Sequence, residues 1–180
     1  MILDATYFEE YPTKLPQSEA LGNGVSSEVS TADAAFITEN LPIYEQTFFR
    51  RVLGRDLGDE FLADYKEAVD NPPLADKWQD MLDQILDTDT KKSPIANYVF
   101  FNMVPQLLEN ISRVGGVAGK KDEMEVIGVT LHQTNAWNLM ADDLLTFYEY
   151  MEDNKSTYEH DDVYLDADYL MLQPVNRYGI

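Results

Sequence analysis

Ser93-Pro-Ile-Ala-Asn-Tyr-Val-Phe-Phe-Asn-Met-Val-Pro-Gln-Leu-Leu-Glu-Asn-Ile-Ser-Arg113 is the stretch that decides the fold. A serine followed by proline is a helix start. The hydroxyl can cap a free N–H, and proline in the first turn gives up no helical hydrogen bond. Ile95, Tyr98, Val99, Phe101, Met103, Leu107 and Ile111 then fall on most sides of that helix, which predicts the central, most buried element. Pro105 is expected to kink it, because its ring displaces the carbonyl of the residue four back.

The flanks repeat the same grammar. Downstream, Gly115-Gly116 breaks the helix, and Gly116 to about Thr130 reads as an exposed loop or small hairpin with Lys120-Lys121 at its tip. A last long helix follows from about Leu131 to Glu152, with Trp137, Met140, Leu144, Tyr148 and Met151 on its buried face. Upstream, a helix over about Leu74–Leu86 shows Trp78, Leu82 and Ile85, and another over about Gly58–Val69 is closed by Asn71-Pro72-Pro73. Ser30 or Thr31 can cap a short helix over Ala32–Glu39. Asn40-Leu-Pro42 restarts it, and Gly54 stops it. The expected fold is mainly α: a small helical bundle with a protruding loop or hairpin between the last two long helices. Residues 1–29 read as an N-terminal arm, 30–152 as the helical domain, and 153–180 as an acidic, Tyr-rich C-terminal tail.

Composition narrows the function. At 180 residues and 44% hydrophobic, the chain can bury a core without a covalent staple. Thirteen Lys and Arg against 33 Asp and Glu leave a net charge of −20, which a nucleic-acid duplex repels. Cysteine is absent, so disulfides, thiol catalysis and thiolate metal sites are excluded. The first ten residues lack the basic and apolar regions of a secretory signal. No stretch approaches the length of a spanning helix, so a soluble protein made inside the cell is expected.

Catalytic motifs are missing: no P-loop, dinucleotide fingerprint, nucleophile elbow or zinc-protease helix is present. His132 and His160 lie far apart. The pairs Asp87/Asp89, Asp161/Asp162 and Asp166/Asp168 are the spacings that a hard cation could use, but none sits in an EF-hand loop, and a solvated surface is the simpler reading. No enzyme activity, cofactor or metal is expected. The cations gather at Arg50-Arg51-Arg55, Lys91-Lys92 and Lys120-Lys121, where they are either ordinary solvated charges or contacts to carboxylates of a neighbouring subunit. In the tail, Tyr164, Leu165, Tyr169, Leu170 and Leu172 sit in an alternating segment. It is suited to docking on a partner, or to packing on its own domain.

Ser93-Pro94-Ile95-Ala96-Asn97-Tyr98-Val99-Phe100-Phe101, the Gly115-Gly116 break and Asn135-Ala136-Trp137-Asn138-Leu139-Met140 together resemble the head–tail connector (adaptor or head-completion) proteins of tailed bacteriophages. Phe49-Arg-Arg-Val-Leu-Gly54, followed by Asp56-Leu57 and Phe61, resembles the same family's short second-helix element. The similarity covers about residues 35–152 and rests on packing motifs. It implies a non-enzymatic virion protein at the head–tail neck, made in the host cytoplasm. Its copies would form a ring of about twelve between the portal protein and the tail or a second connector, with DNA passing through unbound. No membrane is involved. The charge of −20 supports a second class as well: a small acidic DNA mimic that fills the basic cleft of a host enzyme.

Overall fold

The computed structural model describes residues 1–8, 12–13, 27–113, 121–158 and 169–174, with backbone alone at 5, 27–37, 107–113, 121–130, 169 and 170. Six helices account for most of them: α1 (Ser27–Val52), α2 (Arg55–Asp70), α3 (Asp76–Ile85), α4 (Pro94–Arg113), α5 (Lys121–Asp153) and α6 (Lys155–Tyr158). Short 3-10 turns lie at Ala5–Phe8 and Tyr169–Leu172. Among the described residues there is no strand, only an isolated bridge between Asp87 and Lys92.

The centre is α4, as its sequence predicts. Ser93 caps it by accepting the Ile95 N–H at 3.1 Å, and Ile95, Val99, Met103 and Val104 are fully buried. The long helices α4 and α5 pack against each other, α1 lies against both α2 and α4, and α3 packs on α5. Pro105 does not end α4. Its ring nitrogen cannot donate to the Phe101 carbonyl, and Gln133 of α5 donates to that oxygen instead at 3.0 Å. The rings of Phe101 and Trp137 also meet, with centroids 4.6 Å apart. One residue of α4 is thus held by two residues of α5 four positions apart, which sets the register of the pair.

Three expectations are revised. First, α1 is one continuous helix through Pro42, not two. Pro42 is exposed, while Leu41, Glu45, Phe48, Phe49 and Val52 are buried, and that packing outweighs the roughly 3 kcal/mol of an interior proline. Second, α5 begins at Lys121, so residues 121–130 are helical and not loop or hairpin. Between Lys121 and Thr130 the only strong helix breaker is Gly128, at about 1 kcal/mol. The Gly115-Gly116 break and Lys120 lie outside the described residues. Third, the first residues belong to the core: Leu3, Tyr7 and Phe8 are buried, and Thr13 donates its hydroxyl to the Tyr7 carbonyl at 2.6 Å.

Glu45 fastens that N-terminal segment. Its Oε1 accepts the N–H groups of Ile2 and Leu3 at 3.0 and 2.8 Å, and Tyr65 donates its hydroxyl to the Met1 carbonyl at 2.9 Å. Burial pushes the Glu45 carboxyl pKa above its ordinary value, although the two N–H bonds pull it back. A carboxyl raised in the folded state stabilises most below its unfolded pKa, and loses that contribution as pH rises through the folded value. Glu45→Gln keeps an acceptor and removes the buried charge. Its melting temperature relative to the parent should therefore rise between acid and neutral pH and then level off. Equal differences at every pH would contradict this role for Glu45.

Candidate subunit-contact surface

The corner between α1 and α2 carries the densest group of cations. Gly54, with φ 77°, occupies the left-handed region that lets the chain turn at once from α1 into α2. Gly58 then brings α2 against α1 so closely that a Cβ there would lie 2.9 Å from the Phe49 carbonyl oxygen and 3.0 Å from the Arg50 Cα. The turn places Arg50 and Arg55 on either side of one carboxylate, Asp59. Arg50 Nε is 2.5 Å from Asp59 Oδ1, and Arg55 Nε is 4.0 Å from Oδ2. Arg51 points the other way, with its guanidinium 3.4 Å from the Tyr98 hydroxyl of α4.

These three arginines differ in what they can offer a neighbour. Arg50 and Arg51 stand in the last turn of α1, where positive charge meets the negative end of the helix dipole, and both have partners inside the chain. Arg55 is the outward one: its side chain is 86% exposed, and two guanidinium groups share one aspartate. The corner gathers three cations on a body of net charge −20, with Asp56 and Asp59 on the same turn.

Lys91 and Lys92 do not form a second such patch. Lys91 lies over the Tyr7 ring at 5.1 Å, and Lys92 lies within electrostatic range of Asp143. Burial and the neighbouring Asp142 push the Asp143 carboxyl up, and Lys92 opposes that. Lys121 opens α5 and is described by its backbone, while Lys120 lies outside the described residues.

The carboxylates and histidines are placed as follows. Asp87 closes its own turn, accepting the N–H groups of Asp89 and Thr90 at 2.9 and 2.8 Å and the Thr90 hydroxyl at 2.6 Å. Among the described residues, no group of three or more His, Asp and Glu is arranged to hold a metal. His132 is exposed on α5. His160, Asp161, Asp162, Asp166 and Asp168 lie outside the described residues.

Of the tail residues, Tyr164 and Leu165 are likewise outside them. Tyr169, Leu170 and Leu172 fall in the second 3-10 turn, which packs on α5 with Met171 fully buried and Leu172 half-buried. Trp137 Nε1 donates to the Gln173 carbonyl at 2.7 Å. This described part of the tail docks on its own domain. α6 does so too: Tyr158 is buried against Trp78 and donates its hydroxyl to the Lys77 carbonyl at 3.0 Å.

Sequence reasoning found the arginines but missed Asp59, Gln133 and Glu45. Asp59 sits four residues after Arg55, a spacing that marks a pair on one helix face. Pro105 announces an orphaned carbonyl, though not who satisfies it. No helix among the described residues is long and apolar enough to cross a membrane. In comparisons with protein-family models, curated proteins and solved structures, nothing matches this chain.

Proposed function

We propose that the chain is a structural virion protein of the tailed-phage head–tail connector type. Its copies form a ring between the portal protein and the tail or a second connector, and DNA passes through the ring without being gripped. The observation that supports this most is where the resembling residues sit. Ser93 caps α4, Ile95, Ala96 and Phe100 are buried in it, Ala136 and Met140 are buried on α5, and Phe101 meets Trp137 between them. The motifs are parts of one packed seam, the role that the resemblance implies for them.

The charge fits a conduit. Each phosphate neutralised by a cation adds a salt-dependent grip on DNA, and a surface of net −20 supplies little of it. A cyclic ring joins unlike patches, and the Arg55 corner against an acidic neighbour is such a pair. Arg55→Glu is the cleanest probe, because the Arg55 side chain is 86% exposed and 4.0 Å from Asp59, whereas Arg50 is held directly on that carboxylate. Arg55→Glu should reduce incorporation into particles roughly tenfold, with an unchanged far-UV circular dichroism spectrum. Unchanged incorporation would contradict a contact at this corner. The acidic-mimic reading is favoured by the same net charge, and it places the chain on a basic host enzyme and absent from particles.

A further inference from the structure

The segment over residues 1–8 is held at its two ends by different chemistry. At the far end Tyr7 and Phe8 are buried, Thr13 donates to the Tyr7 carbonyl, and the Lys91 ammonium stands over the Tyr7 ring. At the near end Met1 is exposed, Ile2 half-buried and Leu3 buried. Three hydrogen bonds hold that end: two N–H groups donate to Glu45 of α1, and Tyr65 of α2 donates to the Met1 carbonyl. Lifting residues 1–3 breaks those bonds and uncovers one fully buried side chain, Leu3. That is a local opening, which leaves the bundle folded.

Glu45 is the unusual member of this joint. Both N–H bonds fall on Oε1, and Oε2 has no hydrogen-bond partner among the described residues. The side chain is 4% exposed, and among the described residues no lysine or arginine pairs with it. A carboxyl so placed is buried at least cost with a proton on Oε2, while Oε1 still accepts like a carbonyl.

We propose that residues 1–3 form a strap fastened by a proton on Glu45: ionisation of this carboxyl weakens the closure, so the strap lifts from α1 more often as pH rises through the mildly acidic range. Burial favours the protonated form in the closed state, against the two N–H bonds and the Met1 α-amino group, and lifting returns the carboxyl to water. The closed state therefore loses stability as pH climbs from the ordinary carboxyl value through the raised one, and nothing more above it. The other charged groups around the strap hold their state in that window. The Met1 α-amino group stays protonated and Tyr65, raised by burial, stays neutral. Asp4 and Asp87 are both held below their ordinary value, chiefly by bonds from Thr6 and Thr90, so they stay ionised beside a charged Lys91.

Amide hydrogen exchange of the full chain, read by NMR and corrected for its intrinsic pH dependence, tests this. Between about pH 4 and pH 7, protection of the Leu3 N–H should fall severalfold relative to that of Val99 in the centre of α4. In Glu45→Gln the ratio should be flat. The Glu45 side-chain carboxyl carbon of the parent should titrate at higher pH than those of the exposed glutamates, a readout that needs no variant to fold. A constant Leu3-to-Val99 ratio in the parent would overturn the proposal. So would the same fall in Glu45→Gln, or a Glu45 carboxyl that titrates with the exposed ones.

Discussion

Trp78→Ala should destabilise the bundle by about 3–5 kcal/mol, the range for removing a fully buried large aromatic side chain. Trp78 has no exposed surface, and its ring lies between Phe61 of α2 and Tyr158 of α6, with centroids 5.4 and 5.8 Å away. Its Nε1 donates to Asp64 Oδ2 at 2.7 Å, so one side chain ties α3 to α2 and to α6 at once. Truncation would empty the space between three elements and leave Asp64 without that donor. Urea unfolding checks this. A loss below about 1 kcal/mol would mean that α3 is not anchored here. Trp137 looks equivalent in the sequence, but it is only half-buried, and its truncation should cost less.

Gly58→Val should cost about 3 kcal/mol, and it should also disturb the arginine corner. The atoms that a Cβ would meet, the Phe49 oxygen and the Arg50 Cα, are backbone and cannot swing aside. α2 must move away from α1, which separates Arg50 from Asp59 and opens the tilted contact of Phe49 with Phe61, now at 4.5 Å between centroids. Glycine is a poor helix former, so valine would be tolerated at an open position. A variant as stable as the parent would show that the two helices are free to separate.

Local signals were the ones legible in the sequence. Ser93-Pro94 gives the start of α4 because a cap and a first-turn proline act within a few residues. Gly54 gives the end of α1 for the same reason, since only a left-handed turn is needed. What stayed hidden depends on partners far along the chain. The N-terminal residues read as an arm because Pro12, Pro16 and Gly22 break periodicity, yet Glu45, 43 residues from Ile2, supplies the acceptor that fixes them. Pro42 reads as a restart until the burial of Leu41 and Glu45 on either side is seen. Of the candidate contacts, the sequence shows that three arginines are near one another. Only the turn geometry separates the outward Arg55 from Arg50 and Arg51, which are already engaged.

The tail shows the same division. Alternation in residues 163–172 marks a segment able to bury one face, but it does not name the surface. The described part buries Met171 against its own α5, and the hydrogen bond from Trp137 closes the contact.

The proposed ring at the neck of a virion would be seen by symmetry-free averaging of the neck in tailed-phage particles purified from cells that produce this chain. Copy number would be counted by quantitative mass spectrometry of the same particles. One fixed copy number is expected, equal to the number of repeats in a single ring of helical bundles between portal and tail. A chain absent from the particles, or present without a ring at the neck, would contradict it.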